Sequence, residues 1–188
     1  NASAEQGPVS GDMPLSPIQQ RFFTAARKRP GHFNQSVLLS VSADLLAAAM
    51  EKALERVVLR HDALRLTFAR RNGEWTGSYD KNSDLPWHME DLSQIPSRVE
   101  QDLFMGERAA YWQTRLDIEN GPLMQMVLFR MGDRARLFWC IHHLAVDGVS
   151  WRILLRDLHT AYHQAASGIP VSLPDKTDSF KRWAGQLH

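Results

Sequence analysis

Cysteine is almost missing from this chain. Cys140 is the only one among 188 residues, which excludes an internal disulfide and the zinc patterns built on several cysteines. It sits in an apolar stretch and so reads as an inert buried thiol rather than a nucleophile. Such sparing use of cysteine fits a reducing, cytoplasmic setting. Long hydrophobic runs are missing too: none approaches the ~20 residues that span a bilayer, and no signal peptide is visible. Nor does charge of one sign dominate. Lysine and arginine number 22 against 21 aspartates and glutamates, a net charge of +1, which gives neither nucleic acid nor an anionic membrane a reason to bind. Gly73, Gly77 and Gly106 fall in no phosphate-cradling pattern, and the order of residues supports no Ser/His/Asp nucleophile set. His159 and His163 have the i, i+4 spacing of zinc ligands. No Glu occupies the HExxH position and no third ligand is near, so a helix edge is expected there and no metal site.

What is present is an ordinary globular composition, 44% hydrophobic and 23% charged, in a length suited to one domain with its own core. It carries no internal repeat. The organising stretch is Leu137 to Trp151. It opens as an apolar run of aromatic and β-branched residues, the mark of a buried strand. It closes in a helix whose apolar positions Trp151, Leu154, Leu155, Leu158 and Tyr162 share one face. Between strand and helix lie His142, His143, Asp147 and Gly148. A strand that delivers histidines into a turn before a helix N-terminus holds them on rigid supports, as proton transfer requires. An imidazole titrates near ~6.5 and can serve as general base in its neutral form. Successive strand side chains point to opposite faces, so one histidine is expected in a cleft and the other packed. Asp147 is a candidate to lock the turn through an arginine. On residues alone, a pair of satisfied core histidines at a strand end explains the pattern better, since motif-sized patterns arise often.

His142-His143-Leu144-Ala145-Val146-Asp147-Gly148 resembles the HHxxxDG signature of the condensation-domain superfamily of nonribosomal peptide synthetases, which includes chloramphenicol acetyltransferase-like enzymes. The continuation Val149-Ser150-Trp151 is most similar to the epimerization branch. Other segments carry the same resemblance. Met13 to Phe23 resembles the opening Pro-Ile-Gln motif of epimerization domains, with Arg21 where the family usually has tryptophan. Phe33-Asn34-Gln35-Ser36 resembles a second string. Arg60-His61-Asp62-Ala63-Leu64-Arg65 resembles RHExLR, with Asp62 in place of glutamate. By that resemblance Arg65 reaches Asp147 in a buried ion pair, with Arg60 the second candidate; by spacing alone the cluster is a solvated helix end. Ser179 to Ala184 resembles the Ser-Phe-Lys-x-Trp-Ala helix where the first lobe of such a domain hands over to the second.

In chain order, residues 1–12 read as linker or expression remnant. Ser16, Pro17 and Gln19 predict a capped helix running to about Lys28. A strand follows over His32 to Val41, then a helix capped by Ser42 with Leu46, Met50, Ala53, Leu54, Val57 and Val58 on one face. Asn72-Gly73 marks a hairpin between strands near 64–70 and 75–79. A short strand at 87–90, a helix over 97–116 and a strand over 123–130 precede the organising strand, which pairs antiparallel with the last of these. The final helix spans Val149 to about Ala166.

The resemblance implies an α/β chloramphenicol acetyltransferase-like two-layer sandwich, here one lobe with a mixed sheet and helices packed on it. The N-terminal lobe would occupy residues 13–168, and 169–188 would connect to a C-terminal lobe outside this chain. It implies an isomerase that inverts the α-carbon of a carrier-bound aminoacyl or peptidyl thioester in antibiotic or other secondary-metabolite biosynthesis. His143 would be the acid/base, supported by His142, Asp147, Gly148, Ser150 and Trp151, and the helix end near Gly148 and Val149 would steady the enolate. No cofactor is bound directly, since the substrate rides on the phosphopantetheine arm of a carrier protein. Expected partners are that carrier, the C-terminal lobe and neighbouring synthetase modules. The lobe alone is expected to be inactive and prone to self-association. Two alternatives stand beside this reading: amide-bond condensation with the same histidine, and a non-catalytic carrier-docking module.

Overall fold

The computed structural model describes residues 5–25, 28–79, 84–177 and 179–186. Its centre is β7 (Ala135–His142), buried along almost its whole length. On one side β7 pairs antiparallel with β6 (Met124–Arg130), from Met124 opposite Ile141 to Arg130 opposite Ala135. On the other it pairs antiparallel with β2 (Asn34–Val41), where Asn34 faces His142. The short β5 (Trp87–Asp91) runs parallel to β6 and makes the sheet mixed, in the order β2-β7-β6-β5.

The apolar run of β7 has no polar alternation because both faces of the sheet are covered. Leu137, Trp139 and Ile141 point to one side and pack with Ala53, Leu54 and Val57 of α2 (Ala47–Arg60) and Trp151, Leu154 and Leu158 of α4 (Gly148–Ala166). Phe138 and Cys140 point to the other and meet Met105 of α3 (Arg98–Gln113) with Val127 and Phe129. Each large apolar side chain enclosed in this way contributes ~1.5–3 kcal/mol. Burial also pushes the Cys140 thiol up to about 12, so it stays protonated and inert. Among the described residues no helix is long and apolar enough to cross a membrane.

A second sheet, β1-β4-β3, stands apart from the first. The hairpin of β3 (Leu66–Arg71) and β4 (Glu74–Tyr79) turns at Asn72 and Gly73, both at positive φ (51° and 89°). That is the backbone an Asn-Gly pair supplies most readily. β1 (Gly11–Met13) adds antiparallel to β4. The linker reading of residues 1–12 is corrected here for the described part: Val9 is buried and packs with Met13, Leu66 and Phe68, and Gly11 and Asp12 are strand. The Asn1-Ala2-Ser3 reading lies outside the described residues. Ala184 of α5 (Phe180–Gln186) enters the same core.

Helix ends also differ from the periodic reading. α1 (Pro17–Thr24) stops short of Lys28, because Ala25 is already extended. It starts as the pattern indicates, with the Gln19 Oε1 accepting from the Ser16 N–H at 3.0 Å. α2 begins at Ala47 rather than after Ser42, whose hydroxyl instead accepts from the Asp44 N–H in the preceding turn.

α2 and α4 are clamped by a buried carboxylate. Asp157, 1% exposed, accepts from Arg60 Nε at 3.2 Å, His61 Nε2 at 2.8 Å and the Arg156 guanidinium at 3.1 Å. Burial raises its pKa, but the hydrogen bonds from His61, Arg156 and Arg60 outweigh that and hold it below the ordinary carboxylate range. Burial is the chief cause that lowers the His61 pKa, so the folded chain holds this proton less tightly than the unfolded one. Between about 6.5 and that lowered value the unfolded chain binds a proton that the folded chain does not, so stability falls as pH falls. Thermal unfolding should therefore show a midpoint that drops from pH 7 to pH 5. His61→Gln, which keeps a donor for Asp157, should flatten that drop.

Candidate active site

β7 ends by delivering two histidines to opposite faces, as strand geometry requires. His142 is fully buried; its Nε2–H donates to the Pro30 carbonyl at 2.8 Å, and its Nδ1 accepts the Leu144 N–H at 3.1 Å. Phe22 meets the ring edge-on at 5.5 Å. This is the satisfied histidine. His143 is half-buried and outside the core. Its backbone N–H donates to the Phe33 carbonyl at 2.8 Å, carrying the β2–β7 ladder one step further. Its ring stacks on Phe33, with centroids 4.9 Å apart and planes at 19°.

The ring's polarity follows from its partners. Nδ1 lies 2.8 Å from the Val146 carbonyl, which can only accept, so Nδ1 carries the proton in the neutral ring. Nε2 then holds the lone pair and accepts from the Gln35 side-chain amide at 3.3 Å. The other end of that amide, Oε1, accepts the Trp151 indole N–H at 2.9 Å. A half-buried imidazole held in one tautomer and one plane is equipped for proton transfer.

The turn is secured by Asp147, though not in the expected way. Its carboxylate caps α4, accepting from the Ser150 N–H at 2.7 Å and the Ser150 hydroxyl at 2.6 Å. The Ser150 side chain is the main cause that lowers the Asp147 pKa, followed by the Ser150 backbone N–H. The buried ion pair expected between Arg65 and Asp147 is not formed. Asp147 is exposed, and Arg65 is buried on the second sheet's side, bonded to Asp62 and to the Val9 carbonyl at 3.2 Å. The cause is local: Asp62 stands one 3₁₀ turn before Arg65 and reaches it first, while Lys176 Nζ sits 3.0 Å from both Asp62 oxygens. Arg60 does not reach Asp147 either, being bound to Asp157 and the Asp175 carbonyl. Gly148 opens α4, and the Ser150 and Val149 N–H groups at this helix end turn toward the Asp147 cap.

The structure thus gathers His143, Asp147, Gly148, Ser150 and Trp151 around one turn, with His142 behind it, and sets Arg60 and Arg65 elsewhere. Phe33, Gln35 and the Val146 carbonyl join the site, although the sequence pattern gives none of them a role there. For Gln35 a signal exists: alternation along β2 puts it on the same face as Val37 and Leu39, which pack toward α4. His159 and His163 lie on α4 with their Nε2 atoms 3.1 Å apart. Among the described residues no group of three His, Cys, Asp or Glu side chains could hold a metal ion.

Because Asp147 is a cap and not a buried ion, Asp147→Ala should cost about 1 kcal/mol in denaturant unfolding at pH 7. Loss of a partner from a buried pair would instead cost ~3–5 kcal/mol. The folded-state pKa is depressed, so this contribution is present above the unfolded value near ~3.9 and is lost as pH falls through the folded one. The parent and the variant should converge in acid.

The profile of the family described as "Condensation domain" matches residues 9–188. A linear gramicidin synthase from Brevibacillus parabrevis is 47% identical over 188 residues, covering 98% of this chain and 4% of that protein. Among solved structures, the epimerization domain from the third module of a tyrocidine synthetase superposes with a TM-score of 0.93 at 36% identity, over 100% of this chain and 41% of that one. The starter condensation domain of rhizomide synthetase shares the fold, with a TM-score of 0.82 at 17% identity, over 95% of this chain and 44% of that one. The chain thus spans less than half of each of these solved chains and a small part of the gramicidin synthase. On these matches, and on the paired histidines at the end of its central strand, the chain belongs to the condensation-domain family of nonribosomal peptide synthetases.

Proposed function

We propose that this chain is the histidine-bearing lobe of an epimerization domain, which inverts the α-carbon of an aminoacyl or peptidyl thioester held on a carrier protein's phosphopantetheine arm. The observation that carries the reading is the fixed tautomer of His143, whose Nε2 holds the ring's lone pair. The Val149-Ser150-Trp151 continuation and the likeness to the tyrocidine epimerization domain support epimerization over condensation.

A thioester acidifies its α-hydrogen. His143 Nε2 takes that proton as the Gln35 amide gives up its hydrogen bond there, while Nδ1–H stays on the Val146 carbonyl, which steadies the imidazolium as it forms. Inversion then needs a proton returned to the opposite face. The family resemblance assigns that step to a glutamate of the other lobe, beyond the 41% of the tyrocidine domain that these residues cover. No cofactor is needed for either step. Condensation would use the same Nε2 on an amine, and the fold shared with the rhizomide domain accommodates it.

Chiral analysis of a carrier-bound aminoacyl thioester, incubated with the complete two-lobe domain, tests the reading. The parent should invert it, and His143→Ala should be slower by ~10²–10⁴-fold with only a small drop in melting temperature. His142→Ala should instead lose stability, because it empties a buried, doubly bonded site. Amide formation without inversion, or inversion indifferent to His143→Ala, would overturn it. Residues 1–188 alone should fold without inverting the substrate.

A further inference from the structure

We infer that Gln35 and Trp151 are positioning residues for His143: the Trp151 indole orients the Gln35 amide, and the amide holds the His143 Nε2 as a lone-pair acceptor. That this matters for turnover rests on the function proposed above; the wiring itself rests on geometry alone.

Each link is set by a group that has no choice. An indole N–H donates and cannot accept. Its partner 2.9 Å away on Gln35 is therefore the carbonyl oxygen, which turns the amide nitrogen toward His143. An amide N–H can only donate, so His143 Nε2, 3.3 Å away, must accept. From the opposite end, the Val146 carbonyl can only accept and places the proton on Nδ1. Two independent partners thus dictate the same neutral tautomer. The neighbouring ring is wired the other way, since His142 donates from Nε2 to Pro30 and accepts at Nδ1 from Leu144.

The support behind the relay is rigid. Trp151 is 9% exposed, meets Trp139 edge-to-face at 5.4 Å, and sits in the first turn of the helix that Asp147 caps. Gln35 is fixed in the β2–β7 ladder opposite Ile141. Packed neighbours behind the amide thus keep the Nε2 lone pair unprotonated at rest, and the amide N–H has only to swing aside for Nε2 to take a proton. Nothing in the HHxxxDG signature requires Gln35. Its link to Trp151 gives the tryptophan of the Val-Ser-Trp string a chemical task besides packing.

Ring ¹⁵N chemical shifts of the ¹⁵N-histidine-labelled 188-residue chain test the relay, with His143 assigned by its absence in His143→Gln. The parent should show His143 protonated on Nδ1 and bare on Nε2, and His142 the reverse. Gln35→Glu puts an acceptor opposite Nε2 and should move that nitrogen into the protonated range. Trp151→Phe frees the amide to turn and should give an intermediate Nε2 shift. An unchanged His142 pattern certifies the local fold in each variant, and where Trp151→Phe loses it, Gln35→Glu decides. In the complete domain Gln35→Glu should lower kcat on the order of 10²-fold with KM little changed. A parent His143 protonated on Nε2, or a Gln35→Glu spectrum like the parent's, would overturn the relay. Failure of the complete domain to epimerize would instead strike the proposed function and leave the spectra to decide the relay.

Discussion

The Asp147 cap on α4 is the constraint on which the rest of the site depends. By accepting from both donors of Ser150 it fixes where the helix begins, and therefore which residue occupies its first buried position. That residue is Trp151. Its indole can reach Gln35 only because α4 starts where it does and lies against the α2 face of the sheet. The same short turn brings the Val146 carbonyl back onto His143. Residues 143 to 147 thus close a loop in which backbone and side chains together set one imidazole's tautomer. A capping interaction of about 1 kcal/mol is small beside the core, yet it governs the register of every polar contact near it.

The core gives that turn its stiffness. β7 is sandwiched between α2 and α4 on one face and α3 on the other, so its end cannot drift without disturbing packing on both. Asp157 joins the two helices of the first face through Arg60 and His61. Asp62, next in sequence, serves the other sheet by holding Arg65, Lys176 and the N–H of Val9. Residues 60 to 62 therefore tie α4, the N-terminal segment at Val9 and the segment after α4 to one point of the fold. This charge cluster is structural cross-bracing, separate from the turn that holds His143.

Much of this is legible in the sequence, and the parts that are not have physical causes. β7, β6, α2 and α4 follow from apolar periodicity because burial alone specifies them, and Asn72-Gly73 fixes its hairpin because few dipeptides adopt that backbone. The opposite fates of His142 and His143 follow from strand alternation. Ion-pair partners do not follow from a pattern. Arg65 takes Asp62 over Asp147 on a difference of reach, and Asp157 stays hidden because a lone acidic residue on an apolar helix face gives no sign of the cations around it. The strand at residues 11–13 is hidden for another reason: so short a segment shows no period, and Gly11 reads as a breaker. Gln35 lies in a string that matches the family without announcing a role.

Likeness to epimerization and condensation domains leaves the same lobe compatible with two uses of one nitrogen, so the discriminating event is at the substrate. The decisive measurement is solvent isotope uptake: the complete domain, in deuterium oxide, is given an L-aminoacyl thioester on its carrier protein, and the recovered amino acid is weighed by mass spectrometry. Proton transfer through His143 Nε2 predicts deuterium at the α-carbon, appearing with the D-enantiomer and depending on His143. Recovery of an unlabelled L-amino acid, with an amide formed once a second carrier-bound amine is supplied, would contradict it.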